Sequence, residues 1–115
     1  PKTVEVMAEQ LGAKRESLVA VLGPSIRQEC FETDADVPEA MEKLLGAQVH
    51  PFIQEKGPKF HVDLQGIGVK LLRDAGLAAE NVIDSGICTM CHSEEFWSHR
   101  KTHGVRGVQG GLICL

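Results

Sequence analysis

Three observations on this chain of 115 residues predict an α+β fold, a mixed sheet with flanking helices. Apolar residues recur at helical spacing in separate stretches, and short β-branched or alternating runs lie between them. Gly and Pro punctuate the junctions, and neither an internal repeat nor a low-complexity linker interrupts the mixture. The order reads α-β-α-β-α-β-β, which suits one mixed sheet covered by helices.

Val4, Met7, Ala8 and Leu11 stand at i, i+3, i+4 and i+7, so residues 2–11 are expected to form an amphipathic helix ending at Gly12. Ser17 to Leu22 is short, apolar and β-branched, and Gly23-Pro24 stops it, which predicts a buried strand. Val37 to Leu45 predicts a second helix, with Pro38 suited to its first turn and Gly46 just past its end. Lys59 to Val62 alternates weakly and reads as a strand. Asp63 then occupies an N-cap position before Leu64, Ile67, Gly68, Leu71, Leu72 and Ala75, and Gly76 closes this third helix. Asn81 to Ile87 and Gly111 to Leu115 are expected as two further strands, the last one buried.

The totals bound the function. With 43% hydrophobic and 24% charged residues the composition is that of an ordinary globular domain. A net charge of −4 argues against a general nucleic-acid binder. The longest apolar run, Leu18 to Leu22, is too short to span a membrane. Without a secretory pattern, four Cys read as reduced thiols in a cytoplasmic protein. The charge is uneven: residues 1–95 carry −7, while Arg100, Lys101 and Arg106 give the last twenty residues +3 beside His99 and His103. That cluster is either a solvated tail or an anion site. The chain begins at Pro1 with residues that already read as helix, which suggests a cut or processed product.

Cys88-Thr-Met-Cys91-His92 matches the CxxCH haem-attachment pattern. Its context argues against haem: only 23 residues follow His92, and none is a Met that could serve as axial ligand. Cys30, His61, Cys88, Cys91 and His92 could also be assembled into a zinc site, but only one close ligand pair is visible, so the set is not expected to form one. The Gly-rich segment Gly104, Gly107, Gly110 and Gly111 lacks the strand-to-helix context of a dinucleotide loop and instead lets backbone approach another chain or a ligand closely.

Several motifs stand in a fixed order. Leu22-Gly23-Pro24-Ser25-Ile26 precedes Cys30-Phe31-Glu32, then comes Phe60-His61-Val62-Asp63-Leu64, then Ser85-Gly86-Ile87-Cys88-Thr89, and finally Phe96-Trp97-Ser98-His99-Arg100-Lys101. In this order they resemble the YfiH-type laccase-domain family, with its LGPSI segment, CT pair and FFSHRR-like block. The resemblance covers essentially the whole chain but only the C-terminal half of the family's domain. It implies that residues 1–115 are the C-terminal part of a single mixed α/β sandwich whose N-terminal half is absent here.

The resemblance further implies a metal-dependent purine nucleoside phosphorylase acting on adenosine, inosine, guanosine and methylthioadenosine, with adenosine deaminase activity. A copper-dependent polyphenol oxidase, or a non-catalytic binding module of the same fold, are the alternatives. The implied partners are a nucleoside and phosphate, with neither nucleic acid nor membrane, and no oligomeric state is assigned. The implied cofactor is zinc, or alternatively copper, held by two His and one Cys in QVHG, DC-x-P and HAGWRG segments. None of these occurs here, so the metal is expected to be bound by residues upstream and by none in this chain.

Arg100 aligns with the first Arg of the family's HRR block, where a guanidinium can hold phosphate bidentately; the plain alternative is a surface arginine. Ser98 and Thr89 could add hydroxyl hydrogen bonds to the same anion, or satisfy backbone groups. Cys88 matches the CT cysteine, for which burial is a commoner role than nucleophilic action. His99 and His103 could move protons. Downstream the chain departs from the family pattern: Lys101-Thr102 replace an Arg-Asp pair, and Arg106-Gly107-Val108 replaces Thr-Gly-Arg, moving the guanidinium across the glycine.

Overall fold

A computed structural model describes residues 1–114. The first helix, α1 (Lys2–Glu9), forms where the spacing predicts, with Val4 buried and Gly12 beyond its end at φ +71°. A 3-10 turn at Arg15–Ser17 leads into β1 (Ala20–Leu22). After a loop come the two-residue β2 (Glu32–Thr33) and α2 (Asp36–Leu45), whose first turn contains Pro38. A 3-10 segment at Gly46–Phe52 feeds the hairpin of β3 (Ile53–Lys56) and β4 (Lys59–Val62). Gly57, at φ +59°, makes the tight turn between them. Next come α3 (Leu64–Asp74), β5 (Val82–Asp84) and the short α4 (His99–Thr102).

The α+β class stands, with the strand pairings divided between two small sheets. β1 and β5 pair in parallel, Ala20 with Val82 and Leu22 with Asp84. β2, β4 and β3 form an antiparallel sheet in that order. The core is where α1 and α3 meet the parallel pair: Val4, Leu77 and Val82 are buried, packed against Leu18, Ala20, Leu22, Val69, Leu72 and Ala75. The predicted cap also forms, since the Asp63 carboxylate accepts the Gly66 N–H at 2.9 Å.

Two strand expectations are corrected. The segment predicted as a buried strand over 17–22 is a strand only from Ala20, and only one of its faces is covered. Val21 is 64% exposed and its register partner Ile83 48% exposed, while Ala20, Leu22 and Val82 turn toward α3. Residues 111–114, expected in a buried strand, form no regular element, and Leu112 is 99% exposed. No strand lies beside them to accept their hydrogen bonds among the described residues, and Leu115 falls outside those residues. Parallel strands are normally covered on both faces, whereas the Val21–Ile83 face is bare among the described residues. The radius of gyration, 15.8 Å, exceeds the about 13 Å of a compact domain this long, consistent with an open face and an extended tail. Among the described residues no helix is long and apolar enough to cross a membrane.

Candidate active site

The sequence motifs, far apart along the chain, meet beyond the C-terminal ends of β1 and β5. Past Leu22 the chain continues alongside the segment leaving β5: Ser85 N–H donates to the Leu22 carbonyl, Ser25 N–H to Ile87, and Thr89 N–H to Ser25. Gln65 of α3, almost fully buried, braces this loop from below through its amide nitrogen, which donates to the Ile26 carbonyl at 2.7 Å and to the Ser25 hydroxyl. From the side, Arg27 Nη1 donates to both Asp84 carboxylate oxygens at 2.7 Å. That pairing holds the Asp84 carboxyl below its usual range, against a smaller upward push from burial, and raises the Arg27 guanidinium.

Above this platform lies an open cavity of about 360 Å³, bounded by Ser25 and Phe31 on one side and by Thr89 and Trp97 to Arg100 on the other. Four residues singled out in the sequence line it: Thr89, Ser98, His99 and Arg100. Arg100 is held in place, because its Nη1 donates to the Glu32 carbonyl at 2.8 Å while its guanidinium carbon lies 5.5 Å from the Phe31 ring centre. Most of its five N–H donors remain outside that one contact. Ser98 is buried and caps α4, its hydroxyl accepting the Lys101 N–H at 3.3 Å. Its position therefore has a structural reason independent of any ligand.

Arg106 does not line the cavity. Its Nε donates to His99 Nδ1 at 3.3 Å, which fixes the orientation of the imidazole ring. His103, at φ 52°, ends α4 in the left-handed region and serves the turn. The Gly-rich tail folds back on Trp97: Gln109 and Trp97 exchange two hydrogen bonds at 3.1 and 3.3 Å, and Gly107 lies so close to the indole that a Cβ would sit 2.9 Å from it. Sequence reasoning did not single out Phe31, Trp97 or Gln109 as site residues. The aromatic pair Phe96-Trp97 just before the basic run His99 to Lys101 was the available signal for the Trp97 wall, and Phe31 had no comparable signal.

Beside the cavity the sulfurs of Cys30, Cys88 and Cys91 all lie within 4.8 Å of one another, close enough to share one ion. Cys30 and Cys91 Sγ are 3.5 Å apart. The sequence displays only the Cys88–Cys91 pair at close spacing; the fold brings the Cys30 sulfur to it. His61 stays apart, its Nδ1 on the Gln28 carbonyl at 2.8 Å, and His92 lies outside the group. Burial pushes Cys88 up, but backbone N–H groups of Arg27, Cys91 and Met90 outweigh it and bring the thiol down to about 7. Burial and the neighbouring thiols push Cys30 up to about 12. This donor set of three thiols does not fit the two-His, one-Cys metal that the family resemblance implies, and no residue of this chain is assigned to that metal.

Comparison with known proteins places this geometry in context. The family described as "Multi-copper polyphenol oxidoreductase laccase" matches residues 1–115. Purine nucleoside phosphorylase YlmD of Bacillus subtilis is 32% identical over 112 residues, covering 97% of this chain and 40% of that protein. Adenosine deaminase RL5, from an unknown prokaryotic organism, is 34% identical over 99 residues, covering 85% of this chain and 37% of that protein. The crystal structure of the Bacillus licheniformis hypothetical protein YfiH superposes with a TM-score of 0.82 at 26% identity, over 90% of this chain and 39% of that one. YlmD from Geobacillus stearothermophilus shares the fold with a TM-score of 0.84 at 23% identity, over 92% and 40%. The chain thus spans about 40% of the length of these relatives.

Proposed function

The chain belongs to the multi-copper polyphenol oxidoreductase laccase family, and on that premise we propose that it is the C-terminal portion of a purine nucleoside phosphorylase that also deaminates adenosine. The single observation that carries this reading is the cavity that gathers Thr89, Ser98, His99 and Arg100 against Phe31 and Trp97. Its cationic side offers the guanidinium donors of Arg100 to a tetrahedral anion, and its aromatic side offers planar surface to a purine. The bare Val21–Ile83 face supports the domain assignment, since a preceding N-terminal half would supply the missing layer.

In phosphorolysis a phosphate oxygen forms a bond to C1′ of the ribose while the glycosidic C1′–N bond breaks. The proton carried by hydrogen phosphate ends on the departing base, giving ribose 1-phosphate and free purine. The part of this chain is positioning and charge. Arg100, fixed by Phe31 and the Glu32 carbonyl, orients phosphate and offsets its charge. Ser98 and Thr89 border the same space, and His99 presents its ring held by Arg106. The metal of the family would supply activation of a reactant from residues outside this chain. The adenosine, inosine, guanosine and methylthioadenosine substrates belong to the same proposal, and the 115-residue chain alone is proposed to be inactive. Base release from adenosine and inosine by the intact protein, with and without phosphate, tests it. Release that requires phosphate supports it, and turnover by the isolated metal-free chain contradicts it.

A further inference from the structure

We propose that Cys30, Cys88 and Cys91 form a thiolate centre for a zinc-class divalent ion that clamps together the two loops bearing the cavity. Three thiol sulfurs converging within 4.8 Å, drawn from loops 58 residues apart in sequence between Cys30 and Cys88, make a soft donor set of the kind that selects zinc. Two contacts across the loops support the convergence. The Arg27 N–H reaches the Cys88 sulfur at 3.5 Å from the opposite loop, and the Cys30 and Cys91 sulfurs approach each other to 3.5 Å. An amide aimed at a sulfur fixes the direction in which it presents its remaining lone pairs.

The burial gradient suits one ion. Cys88 is buried, Cys30 half-buried and Cys91 exposed, so the ion would sit at the rim with three protein ligands and a small exogenous fourth. Its consequence follows from the neighbours: Cys30 directly precedes Phe31, and Cys88 directly precedes Thr89, and both of these line the cavity. An ion shared by the three sulfurs would hold the Phe31 wall against the Thr89 wall. The site itself does not depend on the phosphorylase reading, because it is read out by stoichiometry rather than by turnover.

The test uses the intact protein, expressed and kept reduced, with zinc content measured per chain and the zinc then exchanged for cobalt. Cys91→Ser is the primary variant because its side chain is exposed, Cys30→Ser the second, and Cys114→Ser the control, Cys114 being exposed and outside the cluster. We expect Cys91→Ser and Cys30→Ser each to lose one equivalent of bound ion and most of the near-ultraviolet thiolate-to-cobalt absorption, while Cys114→Ser loses neither. Equal metal content in wild type, Cys91→Ser and Cys30→Ser would overturn the proposal, as would a cobalt spectrum without thiolate charge transfer. Far-ultraviolet circular dichroism and the thermal midpoint of each variant, compared with wild type, report whether it keeps its fold.

Discussion

The Arg100 guanidinium lies 5.5 Å from the centre of the Phe31 ring and donates to the carbonyl of the next residue, Glu32, at 2.8 Å. One short segment therefore fixes the cation both by its ring and by its backbone. Phe31→Leu removes the ring face and should cost the arrangement about 0.5–1 kcal/mol. In the intact protein this is expected to raise the KM for phosphate a few-fold with little change in kcat. Arg100→Lys keeps the charge but loses the planar fork, so it should weaken phosphate binding more than Phe31→Leu does. Phosphate saturation curves of the two variants check the order.

The Arg27–Asp84 pair predicts a sign for the acid response. Asp84 has its folded-state pKa lowered by Arg27, so its stabilisation is present above the ordinary carboxylate value of about 4 and is lost as the pH falls through the lower folded value. Asp84→Asn should cost about 1 kcal/mol near neutrality, between a surface pair and a buried one. It should also flatten the fall in stability below pH about 4. Urea unfolding at a series of pH values measures both.

At the start of α3 the Asp63 cap and Gly66 are matched. A Cβ at Gly66 would collide with the Asp63 carboxylate and sit 2.7 Å from the Phe52 ring. Asp63→Ala is expected to cost about 1 kcal/mol, and Asp63→Asn much less. Gly66→Ala should cost about 1–3 kcal/mol, because it displaces both neighbours. Denaturant midpoints rank the three.

Gly107→Ala should push the tail off Trp97, since its Cβ would lie 2.9 Å from the indole. The expected readouts are a red-shifted Trp97 emission and a higher KM for the nucleoside in the intact protein, with global stability changed little. An unchanged emission spectrum would contradict the packing of tail on indole.

Much of the helical framework was legible because it rests on local rules. The spacing of Val4, Met7 and Ala8, the Pro38 first turn and the Asp63 cap each act within a few residues, and α1, α2 and α3 form there. β4 appears at Lys59–Val62 as the alternation predicts, while its partners β2 and β3 show no comparable pattern. Those two strands are set by pairing with β4. The expected strand at 111–115 failed over its described residues because an apolar run becomes a strand only where a neighbour accepts its hydrogen bonds. At the site, motif order pointed to Thr89, Ser98, His99 and Arg100, which line one cavity. The five-residue Cys and His set was set aside on spacing, yet three of its members, Cys30, Cys88 and Cys91, converge through loops running side by side, while His61 and His92 stay apart.

The most direct measurement compares phosphorolysis with deamination in Arg100→Ala of the intact, metal-loaded protein. Phosphorolysis needs bound phosphate and deamination of adenosine does not. The account therefore predicts that phosphate-dependent base release falls at least about tenfold, a loss of about 1.4 kcal/mol in transition-state stabilisation. Ammonia release should stay within about twofold of wild type. Equal loss of both activities would mean that Arg100 only supports the fold of the cavity. Loss of neither would remove Arg100 from the site.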